Sequence, residues 1–466
     1  MIAVGLTVAG SADTEPGSAP DAGAIERFVG DYQTRVGIPG VAIVLTKGKE
    51  IVSVAGFGQD SRGQPITSRT MMPIASLSKS FTALAVMQLV EAGKVQLDRP
   101  VREYVPDFAL ADSRAERITV RQLLDHTSGM ADTTFHEKSG PRPESLAGGV
   151  ALLRTAHLAG DPGSRARYHN PNYWVAARIV EVVSGESFDE YLRHHVFEPI
   201  GMPDTRTVGS LRQVPDLAEG HIRMYGYPLA LPEPPWFLDG ASGVVTTAAD
   251  FAQWLILQNN GGQAVNGTRI ISAAHVGEMH RGLGWGTRSV GGLQETEHSG
   301  WLFTFTAHQI LLEKTGYGIA VLTNVGLGLS PVDSQQIAQA LAEMTTGKTP
   351  DRPARTALIV DGVFAGLTAL ALALGLRSLV RAQGWGERRA RRPAWRTILV
   401  LLRGLLPVAL LLGLPALLSI VFGGRDGSWL QLLYLAPSLI IWLVVASLAG
   451  LAVIVARATQ LLRRPR

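Results

Sequence analysis

The 466-residue sequence predicts an α/β fold in which an antiparallel sheet is flanked by helices and carries an inserted helical region, followed by three transmembrane helices. Strand-like segments stand at both ends of residues 22–346, with long helical patterns between them, so the two ends of this region are expected to share one sheet. Beyond Pro350, three apolar runs each exceed the ~20 residues that a helix needs to cross the hydrocarbon core.

The composition changes along the chain and divides it into four consecutive segments. Residues 1–21 are rich in Gly, Ser, Pro and Ala, and we expect a disordered leader or a truncated signal peptide, because the apolar stretch after Met1 is short and follows no basic residue. Residues 22–346 form the predicted N-terminal domain, 347–355 a linker and 356–466 the membrane region.

Two hairpins define the predicted sheet. Val41 to Leu45 and Ile51 to Val54 flank the turn sequence TKGKE, and Ala307 to Leu312 and Gly318 to Thr323 flank EKTGY. Apolar, β-branched segments separated by short polar turns containing glycine are typical of antiparallel hairpins. The helix between them is expected to start near Leu77, with Ser76 as its N-cap, and to end at Gly93.

The predicted spans cover about residues 356–380, 397–422 and 429–456. From Arg352 onward there are 15 arginines and three acidic residues, so this part has a net charge of +12. Residues 1–351 have a net charge of −8, which gives the total of +4. Most of the arginines lie between the first two spans and at the C-terminus, which places both segments in the cytoplasm and the N-terminal domain outside. We expect Asp361 and Arg403 to snorkel to opposite interfaces, and the prolines within the spans to kink their helices.

Composition excludes several classes of function. With no cysteine, the chain has no disulfide, no thiolate zinc site and no cysteine nucleophile, although this does not assign a compartment. The positive charge lies between apolar runs instead of on the folded domain, which argues against nucleic-acid binding. The sequence contains no HExxH, GxSxG or GxGxxG motif and no P-loop, so no metal and no cofactor is implied.

The sequence Ser76-Leu77-Ser78-Lys79 is the one S-x-x-K in the chain. Side chains three residues apart at a helix start can lie on one face within hydrogen-bonding distance. A serine hydroxyl becomes an effective nucleophile when a base removes its proton, and lysine can do so if its pKa is lowered. Alone the motif is weak, because it occurs about once by chance in a chain of this length.

Further motifs follow the S-x-x-K motif along the chain. They are YVPDF with ITVRQLLDHTSGM, then Tyr168-His169-Asn170, then ASGVVTTAADFAQW, then His298-Ser299-Gly300. Together they resemble the class C β-lactamase and D-alanyl-D-alanine carboxypeptidase family of serine hydrolases, over roughly residues 25–345. The resemblance implies a β-lactamase/transpeptidase-like fold.

The resemblance also implies roles for individual residues. Ser76 would be the acylated nucleophile, Lys79 its proton partner, and Tyr168 the group that protonates the leaving group and later activates water. Asn170 would bind Lys79 and a substrate amide. The strand motif would bind substrate through His298, Ser299 and Gly300, with the backbone amides of Ser76 and Trp301 as the oxyanion hole. His298, where relatives often have lysine, would make the local charge depend on pH near neutrality.

The sequence departs from the family pattern after Gly300, where Trp301-Leu302-Phe303-Thr304-Phe305 predicts a bulkier cleft rim and leaves the substrate open among D-alanyl peptides, β-lactams and esters. His126 in LLDHTSG is expected to be structural. A membrane-anchored hydrolase is favoured, with a small-molecule or peptide substrate and the lipid bilayer as its partners. The alternatives are a non-hydrolytic sensor or scaffold that binds wall fragments or penicillin, and a transporter, which is disfavoured because the spans contain few polar groups.

Overall fold

The computed structural model describes residues 21–290, 292–389, 392–424 and 427–462. Apart from Asp21, the predicted leader therefore lies outside the described residues. The strands are β1 (Gly40–Lys47), β2 (Glu50–Gly58), β3 (Met72–Pro73), β4 (Arg206–Thr207), β5 (Gly220–Met224), β6 (Tyr227–Leu231), β7 (Val244–Thr246), β8 (Gly286–Val290), β9 (Leu293–Trp301), β10 (Thr306–Leu312) and β11 (Tyr317–Thr323).

The main sheet has six strands in the order β2-β1-β11-β10-β9-β8, and neighbouring strands are antiparallel. Both predicted hairpins are confirmed, β1 with β2 and β10 with β11. Because β1 pairs directly with β11, strands from the two ends of the N-terminal domain lie side by side in one sheet, as the sequence predicts.

The helices of the N-terminal domain are α1 (Ala22–Val36), α2 (Ser78–Glu91), α3 (Val120–Leu124), α4 (Leu146–Leu152), α5 (Pro171–Ser184), α6 (Phe188–Leu192), α7 (Glu198–Ile200), α8 (Ala248–Asn259), α9 (Ala273–Met279) and α10 (Asp333–Met344). Alternate residues of β1 bury on opposite faces of the sheet. Val41 and Ile43 pack in a core with α1 and α10, whereas Ala42 and Val44 pack in a core with α2 and α8. The prediction of a helix-flanked antiparallel sheet is confirmed.

Helix α2 begins later than predicted. A short 3₁₀ turn, Ala75–Leu77, precedes it, Leu77 occupies the N-cap position, and no side chain caps the helix. The expectation that Ser76 caps this helix is therefore wrong, because its hydroxyl bonds to other side chains. The helix ends near Gly93, whose φ of 68° continues the chain in the left-handed conformation.

Three long apolar helices follow, and they are long enough to cross a membrane: Thr356–Val380, Ala394–Val421 and Pro437–Leu462. The first is α11 (Thr356–Val380), the second comprises α13 (Ala394–Leu402), a 3₁₀ turn at Arg403–Leu405 and α14 (Leu406–Val421), and the third is α16 (Pro437–Leu462). Two short helices lie between them, α12 (Ala382–Arg389) and α15 (Trp429–Leu435).

The first of these helices, Thr356–Val380, has the bounds predicted for the first span, whereas the third starts at Pro437 and not at residue 429. The chain breaks at Ala436, whose φ of −144° is not helical, because the proline that follows disfavours a helical conformation in the residue before it. Residues 429–435 therefore form the separate helix α15. Pro437 thus separates two helices where a kink is predicted.

The turn between β5 and β6 holds the N-terminal domain against the membrane region. Gly226 N donates to Asp361 Oδ2 at 2.8 Å, and Ser438 Oγ donates to Asp361 Oδ1 at 2.7 Å. Tyr225 N in turn donates to Ser438 Oγ at 2.9 Å. The expectation that Asp361 snorkels to a lipid interface is wrong, since its carboxylate accepts hydrogen bonds from both parts of the chain.

Candidate active site

Ser76 lies in a strained turn at the entrance of α2. The preceding residue, Ala75, has φ of 51°, a left-handed conformation that alanine rarely adopts. Strand β9 lies against this turn at Gly300, where a Cβ would clash with the carbonyl oxygen of Ile74. Glycine is therefore required at position 300 for the strand to approach the turn that presents Ser76.

The hydroxyl of Ser76 lies between the side chains of Lys79 and Tyr168. Lys79 Nζ donates to Ser76 Oγ at 3.1 Å, and Tyr168 OH donates to the same oxygen at 2.7 Å. The ammonium of Lys79 also lies 4.8 Å from the centre of the Tyr168 ring. The structure thus brings together the three residues that the sequence nominated for catalysis, although Tyr168 lies 92 positions after Ser76 in the chain.

Lys79 is fully buried and has further partners. Its Nζ donates to Asn170 Oδ1 at 2.8 Å and to the carbonyl of Ala241 at 2.9 Å. Asn170 is oriented in turn, because its Nδ2 donates to Glu137 Oε1 at 2.6 Å. The contact of Asn170 with Lys79 agrees with the sequence prediction. Glu137 and the Ala241 carbonyl were not nominated, because Glu137 lies in no motif and the motif that begins at Ala241 was given no role in the site.

Residues 298–301 form the outer edge of the sheet beside Ser76. In the described part of the chain, the ladder between β8 and β9 ends at Gly286 opposite Glu297, so the rest of β9 is not covered by β8. An uncovered strand edge offers backbone N–H and C=O groups to an extended substrate. Ser299 lines the cavity here, and Trp301 is 46% exposed. The oxyanion role of the Ser76 and Trp301 amides stays a prediction.

His298 lies across the cleft from Tyr168, with ring centres 6.3 Å apart. Burial, followed by the positive charge of Lys79, lowers the pKa of His298 to about 4. The imidazole is therefore neutral at pH 7. The expectation that His298 makes the local charge depend on pH near neutrality is wrong, because the sequence does not show the distance to Lys79.

A chain of polar groups leads away from Ser299. Its Oγ lies 2.9 Å from His308 Nδ1, and His308 Nε2 lies 2.9 Å from Glu297 Oε2. Burial acts to raise the pKa of Glu297, but hydrogen bonding to His308 and the charges of His308 and Arg288 hold it below its ordinary value. Ser299, His308 and Glu297 thus lie in series on the paired strands β9 and β10.

A cavity of about 610 Å³ opens beside Ser76. Tyr168, Asn170, His298 and Ser299 line it near the nucleophile. Its apolar wall includes the aromatic residues Trp174, Trp236, Phe237, Trp301 and Phe303. The bulky rim that the sequence predicts after Gly300 agrees with this arrangement.

Two further features surround the site. The His126 ring packs on Tyr168 with centres 4.5 Å apart, and His169 N donates to His126 Nδ1 at 3.3 Å. His126 also lines the cavity, and its structural role stays a prediction. Among the described residues, Asp132, Glu137 and His169 present metal-ligand atoms within 4.8 Å of one another. His169 Nε2 lies 3.2 Å from the Phe135 carbonyl and Glu137 binds Asn170, so these groups are engaged within the protein, and we assign no metal.

The sequence profile of the family described as Beta-lactamase matches residues 25–356. The chain belongs to the Beta-lactamase family. Penicillin-binding protein 4 of Amycolatopsis lactamdurans is 29% identical to this family member over 328 residues, which cover 66% of this chain and 85% of that protein.

Solved structures of other proteins agree with this Beta-lactamase family assignment. The octameric penicillin-binding protein homologue from Pyrococcus abyssi superposes with a TM-score of 0.61 at 26% identity, covering 71% of this chain and 78% of that one. The D-amino acid amidase from Ochrobactrum anthropi SV3 superposes with a TM-score of 0.59 at 25% identity, covering 69% and 96%. The chain therefore has the fold of the penicillin-binding and β-lactamase serine hydrolases.

The low pKa of His298 predicts a pH effect on stability. Because this pKa lies below the ordinary value, acidification from pH 7.5 to 5 protonates the unfolded chain preferentially, so stability is lost as pH falls toward 4. The His298→Asn variant has no imidazole at this position, so it lacks this pH-dependent loss of about 1–2 kcal/mol in the free energy of unfolding. We expect its melting temperature to fall by about 2–4 °C less than that of the wild type over the same interval. Tryptophan fluorescence melts at both pH values measure this, and equal losses would contradict the assignment.

Proposed function

We propose that the protein is a membrane-anchored, outward-facing serine hydrolase that forms an acyl-enzyme on Ser76. The observation that carries the proposal is the contact of the Ser76 hydroxyl with both Lys79 Nζ and Tyr168 OH. In acylation, Ser76 Oγ attacks the substrate carbonyl and its single proton passes to the Lys79–Tyr168 pair, in which either Lys79 is the neutral amine or Tyr168 is the phenolate. Tyr168 then protonates the leaving group and, in deacylation, receives a proton from the attacking water.

D-Alanyl peptides, β-lactams and related amides or esters are the proposed substrates. Support comes from the similarity to a penicillin-binding protein and to a D-amino acid amidase, and from the uncovered edge of β9 beside the nucleophile. The neutral His298 supports an uncharged recognition surface at this edge.

The arrangement of the spans supports the proposed orientation. The N-terminal domain contacts the first span at Asp361, near its start, and the third at Ser438, also near its start. Residues of the Arg-rich segment pack at the other end, where the Arg457 guanidinium lies 4.7 Å from the Trp385 ring. Because short Arg-rich segments remain in the cytoplasm, the N-terminal domain faces outward and the C-terminus is cytoplasmic.

The test uses the full chain in detergent micelles or lipid nanodiscs. We expect incubation with benzylpenicillin to add the mass of the opened penicillin to the protein, and a D-alanyl-D-alanine peptide to release D-alanine. Adduct formation without turnover of any peptide, amide or ester would favour the non-hydrolytic sensor. Absence of both adduct and turnover would overturn the proposed function.

A further inference from the structure

The cavity beside Ser76 is closed on one side by the membrane region. Leu418 and Phe422, at the end of the second apolar helix, line it, together with Gln431 and Leu435 of α15. The same continuous space therefore borders the nucleophile and helices that are long enough to span a bilayer.

Side-chain contacts hold this wall in place. Tyr434 OH of α15 donates to the carbonyl of Pro232 at 2.9 Å, and the Tyr434 ring lies edge-on to Phe303, with centres 5.5 Å apart. Leu430 packs on the apolar cluster that includes Trp236 and Leu302. Helix α15 is thus part of the cleft, and residues of the membrane region complete the site.

The rim of the cavity opens toward apolar surface. Phe422 is 43% exposed although it lines the cavity, and its neighbours Ile420 and Val421 are 76% and 70% exposed on the outside of the helix. In a bilayer, such residues contact lipid or its interface. An apolar chain that lies along the wall is therefore in apolar surroundings instead of in water.

We propose that the site takes amphiphilic substrates, with the scissile carbonyl at Ser76 and a hydrocarbon chain along the wall formed by Leu418, Phe422 and Leu435. The proposal rests on the proposed serine hydrolase function and specifies its substrate class. Each methylene group fully removed from water strengthens binding about fourfold. Chain length should therefore raise kcat/KM until the wall is covered.

The test compares p-nitrophenyl butyrate with p-nitrophenyl decanoate, using the full chain in nanodiscs. We expect kcat/KM to be at least about tenfold higher for the decanoate, and Leu418→Trp, which fills the wall, to lower this ratio at least about fivefold. The matched control is Leu417→Trp, because Leu417 is 51% exposed and does not line the cavity. Its ratio should stay within about twofold of wild type. Partitioning of the decanoate into lipid is common to all variants and cancels in this comparison.

A second pair of variants keeps the test decisive if Leu418→Trp does not fold. Phe422→Ala removes part of the wall and should lower the ratio, whereas Ile420→Ala, on the exposed side of the helix, should not. Hydrolysis of the butyrate with no preference for the decanoate, or equal ratios in wall and control variants, would overturn the proposal and leave the serine hydrolase function standing. Failure of both esters and of penicillin to react would instead remove the function on which it rests.

Discussion

The Ser76→Ala variant is expected to lose covalent labelling by penicillin entirely and to hydrolyse any substrate at least about 10³-fold more slowly than the wild type. The reason is geometric, because Ser76 Oγ is the atom on which the Lys79 and Tyr168 hydrogen bonds converge. Intact mass measured after incubation with benzylpenicillin reports the adduct, and p-nitrophenyl butyrate reports turnover.

The matched control is Ser80→Ala, one helical turn further along α2. Ser80 is also buried, but its Oγ donates to the Leu77 carbonyl at 2.7 Å and accepts from Gln309 Nε2 at 3.3 Å, away from the cleft. We expect it to be labelled like the wild type. Labelling of Ser76→Ala at the wild-type rate would show that another residue is the nucleophile.

Lys79→Met should reduce the rate of acylation by about 10²–10⁴-fold while leaving Ser76 in place. Methionine approximates the length of the lysine side chain but cannot exchange a proton with Ser76 Oγ. The change also leaves the Asn170 amide oxygen and the Ala241 carbonyl without their donor, so some loss of stability accompanies it. Stopped-flow labelling with a fluorescent penicillin measures the acylation rate, and the melting temperature is recorded in parallel.

Lys47→Met serves as the control for removing a lysine charge. Lys47 lies at the end of β1, and its Nζ is 5.1 Å from the Tyr317 ring centre, outside the cavity lining. Its acylation rate should match that of the wild type. An acylation rate for Lys79→Met within about threefold of wild type would assign the proton transfer to Tyr168 alone and contradict the role given to Lys79.

The features predicted correctly from the sequence are those with a local cause. The hairpin at Val41 and Ile51 follows from two apolar segments around a short polar turn, and the first long apolar helix follows from a stretch of 25 residues in which apolar residues predominate. The proximity of Ser76 and Lys79 follows from their spacing on one helical turn. Tyr168 could be placed beside them only through resemblance to a family, since no periodicity joins positions 92 residues apart.

For features that depend on tertiary contacts, the sequence predictions were absent or wrong. The His308 ring meets Ser299 because the two residues are opposite each other in the β9–β10 register, which hydrophobic patterning does not give residue by residue. The neutral state of His298 depends on its burial and on its distance from Lys79. The bonding of Asp361 to Gly226 depends on how a hairpin packs on a helix more than 130 residues later.

The hydrogen bonds that join the Tyr225–Gly226 turn to Asp361 and Ser438 also bear on how the protein searches for substrate. A domain joined only by a flexible linker would sweep a volume above the lipid surface. In the proposed membrane-anchored arrangement, these bonds instead hold the nucleophile at one height above the lipid, so encounters with lipid-associated molecules depend on lateral diffusion in two dimensions. The concentration that would set the encounter rate in that arrangement is the number of substrate molecules per unit of membrane area, and substrates held farther from the lipid would be out of reach.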